Sequence, residues 1–420
     1  MISNFIKLIN NSGSIYHSVE FIKEYLEKKG YVELNINNKF EISQGGRYYI
    51  IKSGALLAFR VDSVEEGFKI IASHLDSPAL KIKSNPDIVA NGYNQLNVEV
   101  YGGPILNTWY DKPLSIAGTV IYSDAGETKQ TLVDFKRPIC VIPNLAIHMN
   151  REINSGVKID KQKHLLPITG INQEGIDHQD FLSLLANELK TDKENILSYD
   201  LNLYCTTEPS LFGLNEEFIL SPKLDNLSMA MASIEALIES KIGKGIQVAL
   251  CLDAEEVGSK TFNGGDSSFT NHLLERIGLA LGLDREAYLR MLEQSFCISA
   301  DLAHSIHPNH SDKADLTNRP VMNKGLVIKK SSNKKYATDP LTEARIINLA
   351  KKQNLPYQIF FNNSNETGGS TIGPLLSSNL SIKTIDIGNP ILGMHSERET
   401  GGVIDYQNII KLFTEFYGEK

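Results

Sequence analysis

The chain has 420 residues, a formal charge of −8, 41% apolar residues and 22% charged ones. These values describe a globular protein with enough length for one large domain or two to three ordinary ones. The acidic balance argues against nucleic acid or an anionic membrane as the main partner, and no run approaches the ~18 apolar residues of a membrane span. Met1-Ile2-Ser3-Asn4-Phe5-Ile6-Lys7 opens no basic-then-apolar signal. Cys140, Cys205, Cys251 and Cys297 are scattered and form no CxxC pair, which suits buried thiols in a reducing compartment. A cytoplasmic location is expected.

Ile15, Val19, Ile22 and Leu26 recur at helical spacing, which predicts a helix that Gly30 ends. Strands are expected at Tyr48–Lys52, Leu56–Val61 and Phe68–Ala72, the last running into Ser73-His74-Leu75-Asp76. Over 87–209 the texture changes. Short β-like runs (Leu96–Tyr101, Ile116–Tyr122, Thr131–Phe135) lie between Gly, Pro and Asn turns, with one helix expected at Asp180–Leu189. This segment reads as an inserted, mainly β domain that splits a larger one made of 1–86 and 210–420. Further on, helices are expected at Leu227–Ile238, Asn271–Leu281 and Asp339–Lys352. They alternate with strands at Ile246–Leu252, Phe296–Ala300, Tyr357–Phe361 and Ile382–Ile387, the pattern of an α/β layer on a central sheet. Chemistry in such sheets gathers where loops leave the strand ends.

The run Ile246–Leu252 ends in Asp253-Ala254-Glu255-Glu256-Val257-Gly258. Burying one unpaired carboxylate is costly, and two side by side cost more unless a cation sits between them. Adjacent side chains point in different directions, so one can ligate a metal while the other stays free to move protons. A solvated strand end is the plainer alternative. His74 and Asp76, two apart in an extended segment, share a face, so the carboxylate can set the imidazole's tautomer; a merely polar strand end is again the alternative. Asp225, in Pro222-Lys223-Leu224-Asp225-Asn226, precedes a helix, where capping competes with ligation. Asp301 follows the run Phe296–Ala300, and His395 stands in Gly393-Met394-His395-Ser396-Glu397-Arg398-Glu399. Two imidazoles and three carboxylates suit zinc, cobalt or manganese rather than calcium or copper. His304, His307 and His310 form HxxHxxH, but Pro308 interrupts any helix that could align them, so supporting or loop-structural roles are expected.

Taken in order, HLDSPALKIK (His74 to Lys83), SPKLDN (Ser221 to Asn226), DAEEVGS (Asp253 to Ser259), DLAHSIHPNH (Asp301 to His310), STIGP (Ser370 to Pro374) and MHSERE (Met394 to Glu399) resemble the aspartyl aminopeptidase family of di-metal exopeptidases. YGGPILNTWYDKPLSIAG (Tyr101 to Gly118) and IPNLAIHMNREIN (Ile142 to Asn154) resemble that family's inserted domain. The resemblance implies a three-layer α/β catalytic domain with a central mixed sheet, plus an inserted, mainly β dimerisation domain. It implies metal ligation by His74, Asp225, Glu256, Asp301 and His395, with Asp225 bridging two divalent ions, zinc first and cobalt or manganese as alternatives. Glu255 would be the base and Asp76 would orient His74. Lys329 would lie in a specificity pocket suited to an acidic side chain, and His148 would reach a neighbouring subunit's site. The implied substrates are peptides, and the implied assembly is dimers built into a closed dodecamer. Pro104 stands where eukaryotic members carry a third glycine. Some bacterial relatives prefer neutral or apolar N-terminal residues, so that preference stays open beside an acidic one. A carboxypeptidase or deacylase on a similar sheet, or an inactive scaffold, are the rival readings.

Overall fold

The computed structural model describes residues 2–64, 66–156, 158–173 and 179–420. Helices α1 (Ile2–Asn10) and α2 (Ile15–Glu27) lead into strands β1 (Val32–Glu33), β2 (Arg47–Lys52), β3 (Ala55–Val61) and β4 (Phe68–His74). Every residue of β3 and β4 is buried. A strand covered on both faces has no solvent side, which is why their sequences are largely apolar rather than alternating, Arg60, Lys69, Ser73 and His74 being the polar exceptions. The chain then departs into β5 (Ala79–Ala90), β6 (Tyr93–Tyr101), β7 (Leu114–Asp124), β8 (Glu127–Asp134), β9 (Ile168–Ile171), helix α3 (Phe181–Leu189) and β10 (Ile196–Cys205). It returns through β11 (Ser210–Phe212), β12 (Phe218–Ser221), α4 (Leu224–Glu239) and β13 (Ile246–Leu252). Next come α5 (Phe269–Ala280), α6 (Arg285–Glu293), β14 (Phe296–Ala300), β15 (Ala303–His304), β16 (Leu326–Lys329), α7 (Pro340–Lys352) and β17 (Tyr357–Phe360). The last elements are α8 (Ile372–Leu380), β18 (Lys383–Gly388), β19 (Pro390–Leu392), β20 (Glu399–Gly402) and α9 (Val403–Gly418).

The large sheet has the order β1-β2-β3-β13-β4-β14-β18-β16-β17. Its middle strands β13, β4, β14 and β18 run parallel, while β3 and β16 pair antiparallel on either side of them. Successive residues feed opposite cores. Ile71, Ala249, Ile298 and Ile385 pack with residues of α1, α2, α4, α7 and α9, whereas Ile70, Val248 and Cys297 pack with residues of α5, α6 and α8. Each Ile or Val fully buried in this way contributes about 1.5–3 kcal/mol. The result is the expected three-layer α/β domain with a mixed central sheet. Leu252 is level with His74, and Ser299 with Ala72. The parallel strands therefore end together and release Asp76, Glu255, Glu256 and Asp301 along one edge.

The second sheet, β8-β7-β10-β5-β6-β9, is antiparallel throughout and has its own core around Leu80, Trp109, Ile116 and Leu201. Its first strand begins at Ala79, ahead of the boundary expected at 87, because Lys81, Lys83, Ser84, Asn85 and Asp87 mask the β pattern there. Helices α1, α6, α8 and α9 were not anticipated. In α9, Tyr406, Ile409, Ile410, Phe413, Phe416 and Tyr417 are all buried; β-branched and aromatic residues are weak helix formers, and burial overrides that preference. In α8, Gly373 and Pro374 fall in the first turn, where a missing N–H costs little. A third, small sheet, β11-β12-β20-β19-β15, sets Ser221 opposite Glu399.

Candidate metal centre

His74 closes β4 with 1% of its side chain exposed. Its Nδ1 lies 3.1 Å from the Asp76 carbonyl oxygen and 3.4 Å from Asp76 Oδ1. Its Nε2 faces three carboxylates, Asp225 Oδ1 at 3.5 Å, Asp301 Oδ1 at 3.7 Å and Glu255 Oε2 at 3.9 Å. Asp76 also accepts the Glu255 N–H on Oδ1 and the Glu256 N–H on Oδ2, both at 3.0 Å. One acid thus anchors the imidazole and the short 3₁₀ turn Glu255–Val257 together.

His395 sits on the loop between β19 and β20 at φ 68°, a left-handed conformation that a non-glycine residue holds only when its surroundings enforce it. Its N–H donates to Glu399 Oε1 at 2.7 Å and its carbonyl accepts the Ile105 N–H at 2.8 Å. Its Nδ1 is 3.1 Å from the Gly103 carbonyl oxygen. This fixes Nε2 at 3.3 Å from both Asp225 Oδ2 and Glu256 Oε2. The pairing of β12 with β20 brings in Glu399, whose Oε2 accepts the Asp225 N–H at 3.0 Å.

Asp225 stands between the two imidazoles, Oδ1 towards His74 and Oδ2 towards His395. The capping alternative does not hold, because no side chain caps the start of α4 and Asp225 Oδ1 accepts no hydrogen bond. The Asp225 backbone, at φ −83° and ψ 107°, departs from the helix. Asn226 Nδ2 donates to the Ala300 carbonyl at 2.8 Å, tying this kink to the end of β14.

Burial, reinforced by the neighbouring acids, pushes Glu255 up to about 8. Glu256 rises to about 7, again through burial first. Burial alone would raise Asp225 too, but the His395 and His74 imidazoles beside its two oxygens hold it below the usual carboxylate range. Both imidazoles would be lowered by burial; the carboxylates around them win, raising His74 well above its ordinary value and His395 to about 11. A divalent cation among these groups would hold the acids ionised and the imidazoles neutral. The residues fit one. His74, Asp225 and Glu256 offer ligand atoms all within 4.8 Å of one another. Asp225 Oδ1 and Glu256 Oε1 are buried with no hydrogen-bond partner, a cost of about 1–3 kcal/mol each that a cation would remove. Imidazole nitrogen with carboxylate oxygen is a zinc-type donor set.

Lys329, the last residue of β16, is 2% exposed. Its Nζ lies 3.4 Å from Asp301 Oδ2, donates to the Leu302 carbonyl at 3.1 Å and sits 5.3 Å from the Tyr336 ring centroid. It borders the centre through Asp301. His148 occupies an exposed loop of the insert, and among the described residues no hydrogen bond or ion pair joins it to the centre of its own chain. His304 packs against Phe360, and His307 against His310; none of the three belongs to the ligand group. Three contributors were missed. Glu399 stood in plain view four residues after His395, but its role needs the β12–β20 pairing. Tyr101 donates to Asp76 Oδ2 at 2.8 Å, and the Gly103 carbonyl meets His395; neither leaves a local signal in the sequence.

Residues 8–417 match the family described as aminopeptidase I zinc metalloprotease (M18). A probable M18 family aminopeptidase 2 of Clostridium acetobutylicum is 46% identical over 422 residues, covering 98% of this chain and 97% of the relative. A protein of the same description from Pseudomonas aeruginosa is 38% identical over 420 residues, covering 98% and 96%. Among solved structures, a chain in the cryo-EM structure of the Ape4 and Nbr1 complex superposes with a TM-score of 0.95 at 33% identity, over 99% of this chain and 85% of that one. The S. cerevisiae mApe1 dodecamer gives 0.85 at 27% identity, over 99% and 95%. Agreement at this level, along nearly the whole length, means that the chain belongs to the M18 family of zinc metallo-aminopeptidases.

Proposed function

We propose that this chain removes the N-terminal residue of peptides using two divalent ions, zinc first, with cobalt and manganese as alternatives. The observation that carries the two-ion reading is the division of Asp225, one oxygen towards each imidazole at 3.5 and 3.3 Å. His74 and Asp301 would complete one ligand set, and His395 and Glu256 the other. When bound, such ions lower the pKa of water, polarise the scissile carbonyl and hold a free α-amine. Asp76 keeps His74 in the tautomer that leaves Nε2 free as a donor to a metal. Glu255 takes the proton of the attacking water and passes it to the leaving amine; burial raises its proton affinity, and a cation beside it would keep it ionised and ready to accept.

The dodecameric yeast relative supports a homo-oligomer here. In the proposed assembly, dimers join through the insert and close into a shell. In that assembly the exposed loop of His148 would reach a neighbouring subunit's site. A cytoplasmic location is supported by four free, buried cysteines. Among the described residues no helix is long and apolar enough to cross a membrane. Peptides are the proposed partners, not nucleic acid or membrane.

Lys329 supports a preference for Asp or Glu at the peptide's N-terminus, because an ion drawing on Asp301 would release the lysine's charge towards the substrate. One observation favours a second reading, neutral or apolar residues: the ammonium is buried and already paired with Asp301 at 3.4 Å. A panel of aminoacyl arylamides, given to metal-depleted enzyme with added Zn²⁺, Co²⁺ or Mn²⁺, decides between them. Turnover should require metal and be highest on the acidic substrates. Lys329→Leu should cost the Glu substrate about 1.5–3 kcal/mol, roughly 10–150-fold in kcat/KM, and the Leu substrate far less. Turnover without metal, or of N-acetylated substrates, would overturn the aminopeptidase reading.

A further inference from the structure

The hairpin that opens the insert returns to its own starting point. Tyr101, at the end of β6, is paired with Ala79, just past Asp76. From there Tyr101-Gly102-Gly103 forms a strap across the metal centre. The Tyr101 hydroxyl donates to Asp76 Oδ2 at 2.8 Å. Gly102, at φ +71°, passes so close that a Cβ on it would lie 3.2 Å from the Cβ of Glu256. The Gly103 carbonyl is 3.1 Å from His395 Nδ1. Three consecutive residues of the insert thus reach both imidazoles, His395 directly and His74 through Asp76. The tyrosine ring is itself held, with the Lys81 ammonium 4.8 Å from its centroid and paired to Asp200 at 2.7 Å.

We propose that Tyr101 is a positioning residue of the metal centre, acting through Asp76 on His74 and on the Glu255–Glu256 turn. The terminal torsion of an aspartate is intrinsically broad. Asp76 must nevertheless hold Oδ1 against His74 and the Glu255 N–H while Oδ2 takes the Glu256 N–H. The tyrosine hydroxyl adds the bond that locks this torsion. Outer partners of a ligating imidazole act in this way, and their loss costs roughly 10–100-fold in metal affinity or activity. The insert is therefore part of the centre.

The proposal rests on the metal reading above, and its test has a readout that needs no turnover. Cobalt is titrated into metal-depleted full-length wild type, Tyr101→Phe, Asp76→Asn and the double variant, following the visible absorption of the bound ion. Tyr101→Phe keeps the ring and removes only the hydroxyl, so it should melt with wild type. It should bind cobalt roughly 10-fold more weakly, with an altered spectrum, and lose kcat by a similar factor while KM changes little. In the Asp76→Asn background the same change should have almost no further effect, since the hydroxyl acts through that carboxylate. Unchanged cobalt affinity and spectrum in Tyr101→Phe, or fully additive losses in the double variant, would overturn the proposal. A wild-type chain that takes up no cobalt would instead sink the metal reading, and this one with it.

Discussion

His74 ends a strand buried on both faces, level with Leu252 of its neighbour, and exposes 1% of its side chain. His395 lies on a hairpin loop at φ 68° with 29% of its side chain exposed, and both its ring and its backbone are held by segments from elsewhere in the chain. The two imidazoles meet the same carboxylate, yet one is placed by the sheet and the other by loops. A strand end inherits the rigidity of the whole ladder. The loop imidazole depends on separate segments, Gly103 and Ile105 from the insert and Glu399 from β20, arriving together. The sheet side of the centre should accordingly be coupled to folding, and the loop side to metal affinity.

The largest effect tests the residue that serves both halves. Glu255→Gln should lower kcat by roughly 10²–10⁴-fold and leave metal content unchanged. The turn it belongs to is held by its backbone N–H on Asp76, which the substitution does not touch. Wild-type turnover would remove Glu255 from the role of base.

Replacing each imidazole sharpens the contrast. On the two-ion reading, His74→Ala and His395→Ala should each lower the metal content per chain by about one ion in elemental analysis. His74→Ala also leaves buried acids without their partner and should cost about 3–5 kcal/mol in denaturant unfolding. His395→Ala, at a half-open site, should cost less and should recover its ion at excess Zn²⁺. Equal losses of stability would erase the distinction between sheet and loop ligands.

The smallest effect is in pH. In the metal-free chain Glu255 and Glu256 are raised to about 8 and about 7, and His395 to about 11, so the folded state holds protons that the unfolded state has released. Their effect on stability is most favourable below the unfolded values, about 4.3 for Glu and about 6.5 for His. It is lost as pH rises through about 7 to 8, and for His395 further towards 11. Asp225, depressed, acts the other way, its stability lost as pH falls through the acid range. From pH ~6 to ~8.5 the metal-free melting temperature should therefore drop, while the gain on adding Zn²⁺ should grow, since binding releases those protons. A gain independent of pH would show that the ion does not displace them.

Much of the centre was legible because its signals are local. An apolar, partly β-branched run ending in acids, as at Ile246–Glu256, marks both a buried strand and a group too costly to bury without a partner. Glu255 and Glu256 stand out that way, and Asp301 as an acid at another strand end; His74 is only a polar strand end by itself, and the roles proposed for all four come from the family resemblance. Asp225 was ambiguous for a local reason as well: an acid before a helix is a good cap, and only the folded structure shows that no cap bond forms there. Lys329 was placed near the site, but its pairing with Asp301 was not visible, because that contact joins β16 to the loop after β14.

Sequence alone marked the acids and imidazoles at strand ends that would be costly to bury unpaired, since the cost of desolvating a charge follows from the apolar strand that carries it. It also determined the alternation of strand and helix that builds a layered sheet. Tertiary structure decided which of those groups meet. Pairing Ala79 with Tyr101 brings a phenol to Asp76, and pairing Ser221 with Glu399 brings a carboxylate to Asp225 and His395. Register is a property of two strands at once, and no local pattern in either records it.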